Sequence, residues 1–330
     1  MTVPAWSGHG AGVRRLAVSA VVVLVAAAAA AGSAQAAQLL ARNATAVHIR
    51  TNAKGEALFT YRQGGTLRRV LVWGAINARF PTEGARQVEF KVDYSGGWRS
   101  RHTTAFAGSC GRYDGPALPN LVAACKAPDG SYWAAQSWGR PLPNLGYTPW
   151  NAETRQQWLE VSHWRGELPQ LELHMGWVWS NRFQQLFGRY TYMGKPVYGF
   201  GTTRYGAPTD GFGRLIYLDT YNSTYGPGWK RENSFVPHNP SGAFCYGFYS
   251  FDPTKGGYKH PPGQTAKRGP GTGEQYRVTA SGTGVLPNVS ATIAALHPFD
   301  AANADDVALA SASASLLRSF GDRSCLAGLS

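Results

Sequence analysis

The sequence predicts a mainly β protein, an antiparallel β-sandwich or jelly-roll-like fold with a few short helices and a C-terminal helix. Three observations lead to this prediction. Apolar and polar residues alternate in many short segments, glycine-rich turn signals separate these segments, and charged residues make up only 15% of the 330 residues. Alternation with a period of two is typical of half-buried strands. So few charged residues argue against coiled coils and helical repeats, which are rich in Glu and Lys.

The N-terminal segment has the features of a secretory signal peptide. Arg14 and Arg15 precede the apolar run Leu16–Ala31, and Ala34-Gln35-Ala36 matches the small-x-small cleavage motif. We therefore expect cleavage before Ala37 and a secreted, extracellular bacterial protein. The run is shorter than the roughly 20 residues of a membrane span, which argues against an uncleaved anchor. The paired arginines leave twin-arginine export open beside the general secretory route.

Three regions follow from this reading of the chain. Residues 1–36 form the signal peptide, residues 37–299 form a β-rich globular domain, and residues 300–330 form a C-terminal helix and tail. A division of the β-rich region into two packed sub-domains near residue 200 is the alternative. No segment after residue 36 is apolar enough for a membrane span, so none is expected after cleavage.

The clearest predicted strand is Leu171–Trp179. Its apolar side chains fall on one face, whereas Glu172 and His174 fall on the other. The same pattern predicts strands at Val47–Ile49, Leu58–Tyr61, Arg69–Trp73, Val88–Tyr94, Tyr132–Trp138, Leu159–His163, Phe187–Tyr192, Leu215–Tyr221, Phe244–Tyr249 and Tyr276–Thr279. Turn signals such as Gly64-Gly65 and Gly96-Gly97 separate them, as expected for antiparallel strands.

Helices are predicted at Pro116–Cys125, Asn151–Trp158 and Ala301–Phe320. The last of these has Asp300 as a candidate N-cap and Gly321 as a stop signal. Its predicted apolar face consists of Val307, Ala310, Leu317 and Phe320.

The four cysteines all lie in the exported part of the chain, at Cys110, Cys125, Cys245 and Cys325. An even count in a secreted protein indicates two disulfides, although three pairings exist for four cysteines. We predict Cys110–Cys125, which closes a short loop, and Cys245–Cys325, which ties the C-terminus to the body. No Cys-x-x-Cys motif and no closely spaced histidine pair occurs in the exported chain, so no metal and no cofactor is expected.

The chain is strongly basic, and this suggests a partner class. Its formal charge is +13, and removal of two arginines with the signal peptide gives 13 − 2 = +11. Scattered positive charge attracts polyanions such as acidic polysaccharides and anionic cell-wall polymers. No nucleic-acid reader motif accompanies the charge, so nucleic acid is not an expected partner.

The candidate site lies between residues 210 and 238. A strand at Leu215–Tyr221 places Asp219 and Tyr221 on one face, and the turn at Gly226–Gly228 can fold Trp229 back towards them. Aromatic rings cover the apolar faces of sugars, whereas carboxylates and amides bond to hydroxyl groups. The predicted ligand-binding residues are Asp219, Tyr221, Asn222, Trp229, Arg231 and Glu232.

Two other interpretations of Asp219 stay open. In the first, Asp219 satisfies turn amides or pairs with Arg231 and has a purely structural role. In the second, Asp219 and Glu232 are the catalytic acid and base of a glycoside hydrolase, because such enzymes need only two suitably spaced carboxylates.

Two stretches of the sequence resemble segments of other proteins. They are YLDTYNSTYGPGWKRENSF at Tyr217–Phe235 and YDGPALPNLVAACKAPDGSYWA at Tyr113–Ala134. On these residues the chain resembles uncharacterised secreted proteins of high-GC Gram-positive bacteria. The resemblance covers most of the exported chain. It implies export and a shared fold, and it implies no activity and no catalytic residues.

Together these observations predict a secreted protein that binds a glycan or a cell-envelope polymer without catalysis. An extracellular carbohydrate-active hydrolase with paired carboxylates is the first alternative. A structural envelope protein without a ligand is the second.

Overall fold

The computed structural model describes residues 37–80, 87–98, 106, 110–141, 155–197, 201–202, 208–209, 216–224, 226–231, 236, 241–248, 272–326 and 328–329. Within these residues the chain forms eighteen strands and two helices. The strands are β1 Gln38–Arg42, β2 Thr45–Thr51, β3 Ala57–Gln63, β4 Thr66–Trp73, β5 Lys91–Asp93, β6 Leu121–Lys126, β7 Tyr132–Pro141, β8 Arg155–Trp164, β9 Gln170–Val178, β10 Phe183–Tyr192, β11 Lys195–Pro196, β12 Gly201–Thr202, β13 Pro208–Thr209, β14 Ile216–Ser223, β15 Gly226–Arg231, β16 Ala243–Phe248, β17 Gln275–Ala280 and β18 Val289–Ala294. The helices are α1 Ala304–Ser319 and α2 Arg323–Leu326.

The strands pair antiparallel in four larger sheets. Sheet 1 has the order β1-β8-β7-β6 and sheet 2 the order β2-β3-β4-β5. In sheet 3, β10 pairs with β9, β11 and β16, and sheet 4 has the order β15-β14-β17-β18. Strands β12 and β13 form a separate two-stranded ladder. The protein is therefore mainly β and antiparallel, as the alternating sequence pattern predicted.

Two apolar cores lie on opposite faces of sheet 1. Trp133 and Ala135 on β7 enter a first core together with Phe59 and Val72 of sheet 2. The residue between them, Ala134, enters a second core built mainly from sheets 3 and 4. Because successive residues of a strand point to opposite faces, sheet 1 is buried on both sides and joins the two layers of packing.

Helix α1 lies on sheet 3. Leu317 and Phe320 pack against Phe187 of β10 in a small third cluster. A Cβ atom on Gly176 of β9 would lie 2.6 Å from the Oγ atom of Ser313, so glycine allows the helix to approach the sheet closely here.

Both predicted disulfides are present. Cys110 is bonded to Cys125 of β6, the edge strand of sheet 1, and Cys245 of β16 is bonded to Cys325 of α2. The second bond connects the C-terminal helices to the sheet on which they pack.

The predicted helix at Pro116–Cys125 is wrong. From Leu121 this segment is strand β6, which pairs with β7 and places Cys125 opposite Trp133. The disulfide and this pairing hold the segment extended, and such tertiary contacts override a weak local helix preference. The predicted helix at Asn151–Trp158 is wrong from Arg155 onwards, where strand β8 begins, and its first four residues lie outside the described residues.

The C-terminal helix is confirmed, but it begins three residues later than predicted. Asn303, not Asp300, is its N-cap, and the Asn303 side chain accepts a hydrogen bond from the Asp305 amide. The Asp300 carboxylate instead accepts a hydrogen bond from the Ala302 amide in the preceding turn. Val307, predicted on the apolar face, is 48% exposed.

Candidate functional site

The candidate residues lie on sheet 4, whose two faces differ in character. Leu218 of β14 and Val278 of β17 point into the second core. Asp219 and Tyr221 lie on the opposite face of β14, as the predicted strand required. Strand β14 runs between β15 and β17, and the register places Asp219 opposite both Arg231 and Arg277.

The Asp219 carboxylate is held by two arginines. Arg231 Nε donates to one oxygen over 2.8 Å, and Arg277 Nη2 donates to the other over 3.1 Å. Burial alone would raise the pKa of Asp219, but the charges and hydrogen bonds of the two arginines outweigh it and hold the pKa below its ordinary value of 3.8. The predicted pairing of Asp219 with Arg231 is therefore present, and Arg277 is a second partner.

Aromatic rings accompany both guanidinium groups. The Arg277 guanidinium lies 4.4 Å from the centre of the Trp229 ring, and the Tyr221 ring centre lies 5.2 Å from that of Trp229. The Arg231 guanidinium lies 4.4 Å from the ring centre of the buried Tyr217. We call Tyr221, Trp229, Arg277, Asp219 and Arg231 the arginine–aromatic row.

The row is exposed at one end and buried at the other. The Arg277 side chain is 32% exposed, whereas the side chains of Arg231 and Asp219 are 12% and 7% exposed. Tyr221 and Trp229 are half-buried. A molecule on this face would therefore meet Trp229, Tyr221 and Arg277. Two guanidinium groups and one carboxylate give the row a formal charge of 2 − 1 = +1.

The two remaining predicted ligand-binding residues, Asn222 and Glu232, are not part of the arginine–aromatic row. Asn222 is exposed at the end of β14, where its amide oxygen accepts a hydrogen bond from the Gly228 amide over 2.8 Å and its amide nitrogen donates to Glu274. It therefore stabilises the turn that brings β15 back beside β14. Glu232, the predicted partner of Asp219 in catalysis, lies outside the described residues.

Arg277 is the row residue that the sequence interpretation missed. It lies 58 residues after Asp219, on a strand that the sequence does predict. Its alternation with the apolar Tyr276 and Val278 shows that it faces away from the core. Only the pairing of β17 with β14 brings it to Asp219, and pairing between distant strands has no local sequence signal.

Neither a cluster of metal-ligand side chains nor a long apolar helix occurs among the described residues. The described residues contain no group of three or more His, Cys, Asp or Glu side chains placed to hold a metal ion. Among the helices of this part of the chain, none combines the length and apolar character that crossing a bilayer requires.

Comparison with known proteins adds no relative from which a role could be transferred. No family model matches the chain, and neither a curated protein nor a solved structure shows significant similarity to it.

Proposed function

We propose that this protein binds an acidic glycan or another anionic cell-envelope polymer outside the cell, without catalysis, through the arginine–aromatic row. The observation that carries this proposal is the placement of Trp229, Tyr221 and Arg277 side by side on one sheet face, with Arg277 stacked on Trp229.

The chemistry of these groups suits an acidic sugar. The half-buried rings of Trp229 and Tyr221 offer apolar surfaces for the apolar faces of pyranose rings. The guanidinium group of Arg277 can donate two parallel hydrogen bonds to a carboxylate or phosphate group. Its ion pair with Asp219 limits its motion before binding, which lowers the entropy lost when a ligand is bound.

The environment of Asp219 favours binding over hydrolysis. A general acid must keep its proton near neutral pH, which requires a raised pKa. The two arginines lower the pKa of Asp219 instead and occupy both carboxylate oxygens. Asp219 is therefore suited to positioning Arg231 and Arg277 and unsuited to the role of general acid.

Two features support an extracellular location. The sequence begins with the predicted signal peptide, and the four cysteines form two disulfides. Disulfides persist in oxidising compartments and are rare in the reducing cytosol.

Trp229→Ala tests the proposal in a pull-down on purified bacterial cell wall and on a panel of acidic and neutral polysaccharides. We expect the wild type to bind acidic polymers, and the variant to lose about 1–3 kcal/mol of binding free energy, the range for a central aromatic contact. Trp98→Ala is the matched control, because Trp98 is 81% exposed and lies outside the row.

The proposal fails if the wild type retains no polymer on the panel. It also fails if a folded Trp229→Ala variant binds as well as Trp98→Ala. Binding that is unaffected by added salt would contradict the role of Arg277, because the attraction between exposed opposite charges weakens with ionic strength.

A further inference from the structure

A second concave site lies away from sheet 4, between strand β1 and the paired strands β3 and β4. This groove, which we call the β1 groove, has a volume of about 380 Å³. That volume is within the range of small-molecule sites. Leu40 of β1 and Val70 of β4 belong to its apolar walls and are both buried.

Among the described residues, the charged side chains that line the β1 groove are all basic. Arg42 and Arg68 line it, and none of the nine lining residues is acidic. The Arg42 guanidinium is placed over the Trp158 ring, 5.7 Å from its centre. Arg68 is exposed, and it has no ion-pair partner within the described parts of the chain. The groove therefore offers positive charge that no described carboxylate neutralises.

Tyr61 gives the groove a polar group. The residue as a whole is only 2% exposed, but it lines the groove, and its hydroxyl has no hydrogen-bond partner among the described residues. That hydroxyl is therefore available to a molecule in the groove. The groups whose charges act on this hydroxyl are Tyr94 and Arg68, which also line the groove. An acceptor atom bound there could accept a hydrogen bond from Tyr61 and lie near the charge of Arg68.

Burial raises the pKa of Tyr61, and the neighbouring Tyr94 raises it further, although Arg68 acts in the opposite direction. The phenol therefore keeps its proton at neutral pH and can act as a donor. A donor beside a cation favours an anionic acceptor over a neutral one.

We infer that the β1 groove binds a small organic anion whose carboxylate contacts Arg68 and Tyr61 and whose apolar body lies against Leu40 and Val70. This site is independent of the arginine–aromatic row and uses none of its residues. Its ligand class is a monocarboxylate with an aromatic or short aliphatic body, because the lining combines apolar and basic side chains and the volume admits only a small molecule.

Isothermal titration calorimetry with 2-naphthoate tests this inference, and 2-naphthylmethanol serves as the neutral probe of similar shape. We expect the wild type to bind the carboxylate and to bind the alcohol at least about tenfold more weakly, as loss of a charge-assisted hydrogen bond implies. Arg68→Gln should weaken carboxylate binding by about tenfold or more, and Tyr61→Phe by a smaller factor, since a bond to a neutral donor is weaker.

Arg69→Gln is the matched control for charge. Arg69 is the next residue on β4, its side chain points to the other face of the strand, and it does not line the groove. Its loss should leave naphthoate binding within about twofold of wild type, because an exposed charge that is not in contact is largely screened.

Three results would overturn the inference. They are no heat of binding from 2-naphthoate, equal affinity for the acid and the alcohol, or equal losses in Arg68→Gln and Arg69→Gln. None of them bears on polymer binding at the arginine–aromatic row, because the pull-down and its Trp229→Ala variant test that row separately.

Discussion

At the scale of single residues, two buried titratable side chains, Asp219 and His163, are each held by specific partners. Asp219 is held by two arginines. His163 is a second case: its Nδ1 lies 2.7 Å from the Ala75 carbonyl oxygen and its Nε2 lies 2.8 Å from Ser131 Oγ. The imidazole also stacks on Trp133, with ring centres 3.9 Å apart. Such a setting fixes the protonation state as well as the position of the ring.

His163 makes stability depend on pH. Burial is the main cause that lowers its pKa from 6.5 to about 4. As the pH falls below about 6.5, His163 therefore becomes protonated in the unfolded chain but stays neutral in the folded chain. The free energy of unfolding decreases as a result, until His163 is also protonated in the folded chain near pH 4. The size of the shift corresponds to a loss on the order of 3 kcal/mol. Urea unfolding at a series of pH values measures it.

In His163→Gln we expect lower stability at neutral pH but a shallower decline between pH 6.5 and about 4, because the group that titrates there is gone. His48→Gln is the control, since His48 is exposed. If His163→Gln declines as steeply as His48→Gln, another group causes the pH dependence.

The sequence predicted part of the residue-scale picture. The alternation of β14 placed Asp219 and Tyr221 on one face, and Arg231 is close enough in sequence to be considered as a partner. The contact of Arg277 with Asp219 could not be predicted from the sequence, because the pairing of β14 with β17 joins distant parts of the chain. Trp179 was predicted with Trp177 on the apolar face of a strand. It is 44% exposed, because β9 ends at Val178 and Trp179 begins the turn with a φ of 54°.

At the scale of elements, strands were easier to predict than helices. Strong alternation, as in Leu171–Trp179, depends only on which face is buried, and β9 follows it as far as Val178. In the predicted strand Val88–Tyr94, by contrast, only Lys91–Asp93 forms a strand. The segment Pro116–Cys125 has no clear alternation of apolar and polar residues. Its conformation therefore depends on contacts with distant parts of the chain, namely β7 and Cys110. The start of α1 was misplaced because two side chains, Asp300 and Asn303, can both accept backbone hydrogen bonds, and only the observed turn selects between them.

The Cys245–Cys325 bond should control the stability of α1. Helix α1 contacts sheet 3 through a small cluster, so the bond supplies much of what keeps it in place. For the double variant Cys245→Ser/Cys325→Ser we expect a loss of about 4 kcal/mol from loop closure. Amide hydrogen exchange should increase first in residues 304–319, before the sheets open.

Cys110→Ser/Cys125→Ser is the matched control, because it removes the other disulfide and leaves α1 attached. Exchange in residues 304–319 should then stay at the wild-type rate. Equal exchange of α1 in the two double variants would show that packing alone holds the helix.

At the scale of the whole molecule, sheet 1 connects the two cores, and a buried polar network reinforces the connection. Asn288, just before β18, donates to Glu160 of β8 over 2.7 Å, and its backbone amide donates to Gln136 of β7 over 2.9 Å. Asn288 is 2% exposed. A change in one core should therefore be transmitted to the other through sheet 1.

We expect a single unfolding transition by scanning calorimetry for residues 37–330, and Asn288→Ala should lower its midpoint without splitting it. Removal of the Asn288 side chain takes a hydrogen-bond donor from Glu160, which costs about 1–3 kcal/mol when buried partners are lost. Thr292→Ala, at an exposed position on β18, should have little effect. Two separate transitions would instead support a division of the β-rich region into sub-domains.

A host cell that glycosylates Asn-x-Ser/Thr sequences would meet three of them in this chain, at Asn43, Asn222 and Asn288. The first two asparagines lie at the surface. At Asn288, however, a sugar would be attached to the amide nitrogen that donates to Glu160, and the bulk of the oligosaccharide would have to enter a closed interior. Production in yeast or animal cells should therefore yield misfolded material wherever Asn288 is modified before folding, whereas a bacterial host without this modification avoids the problem.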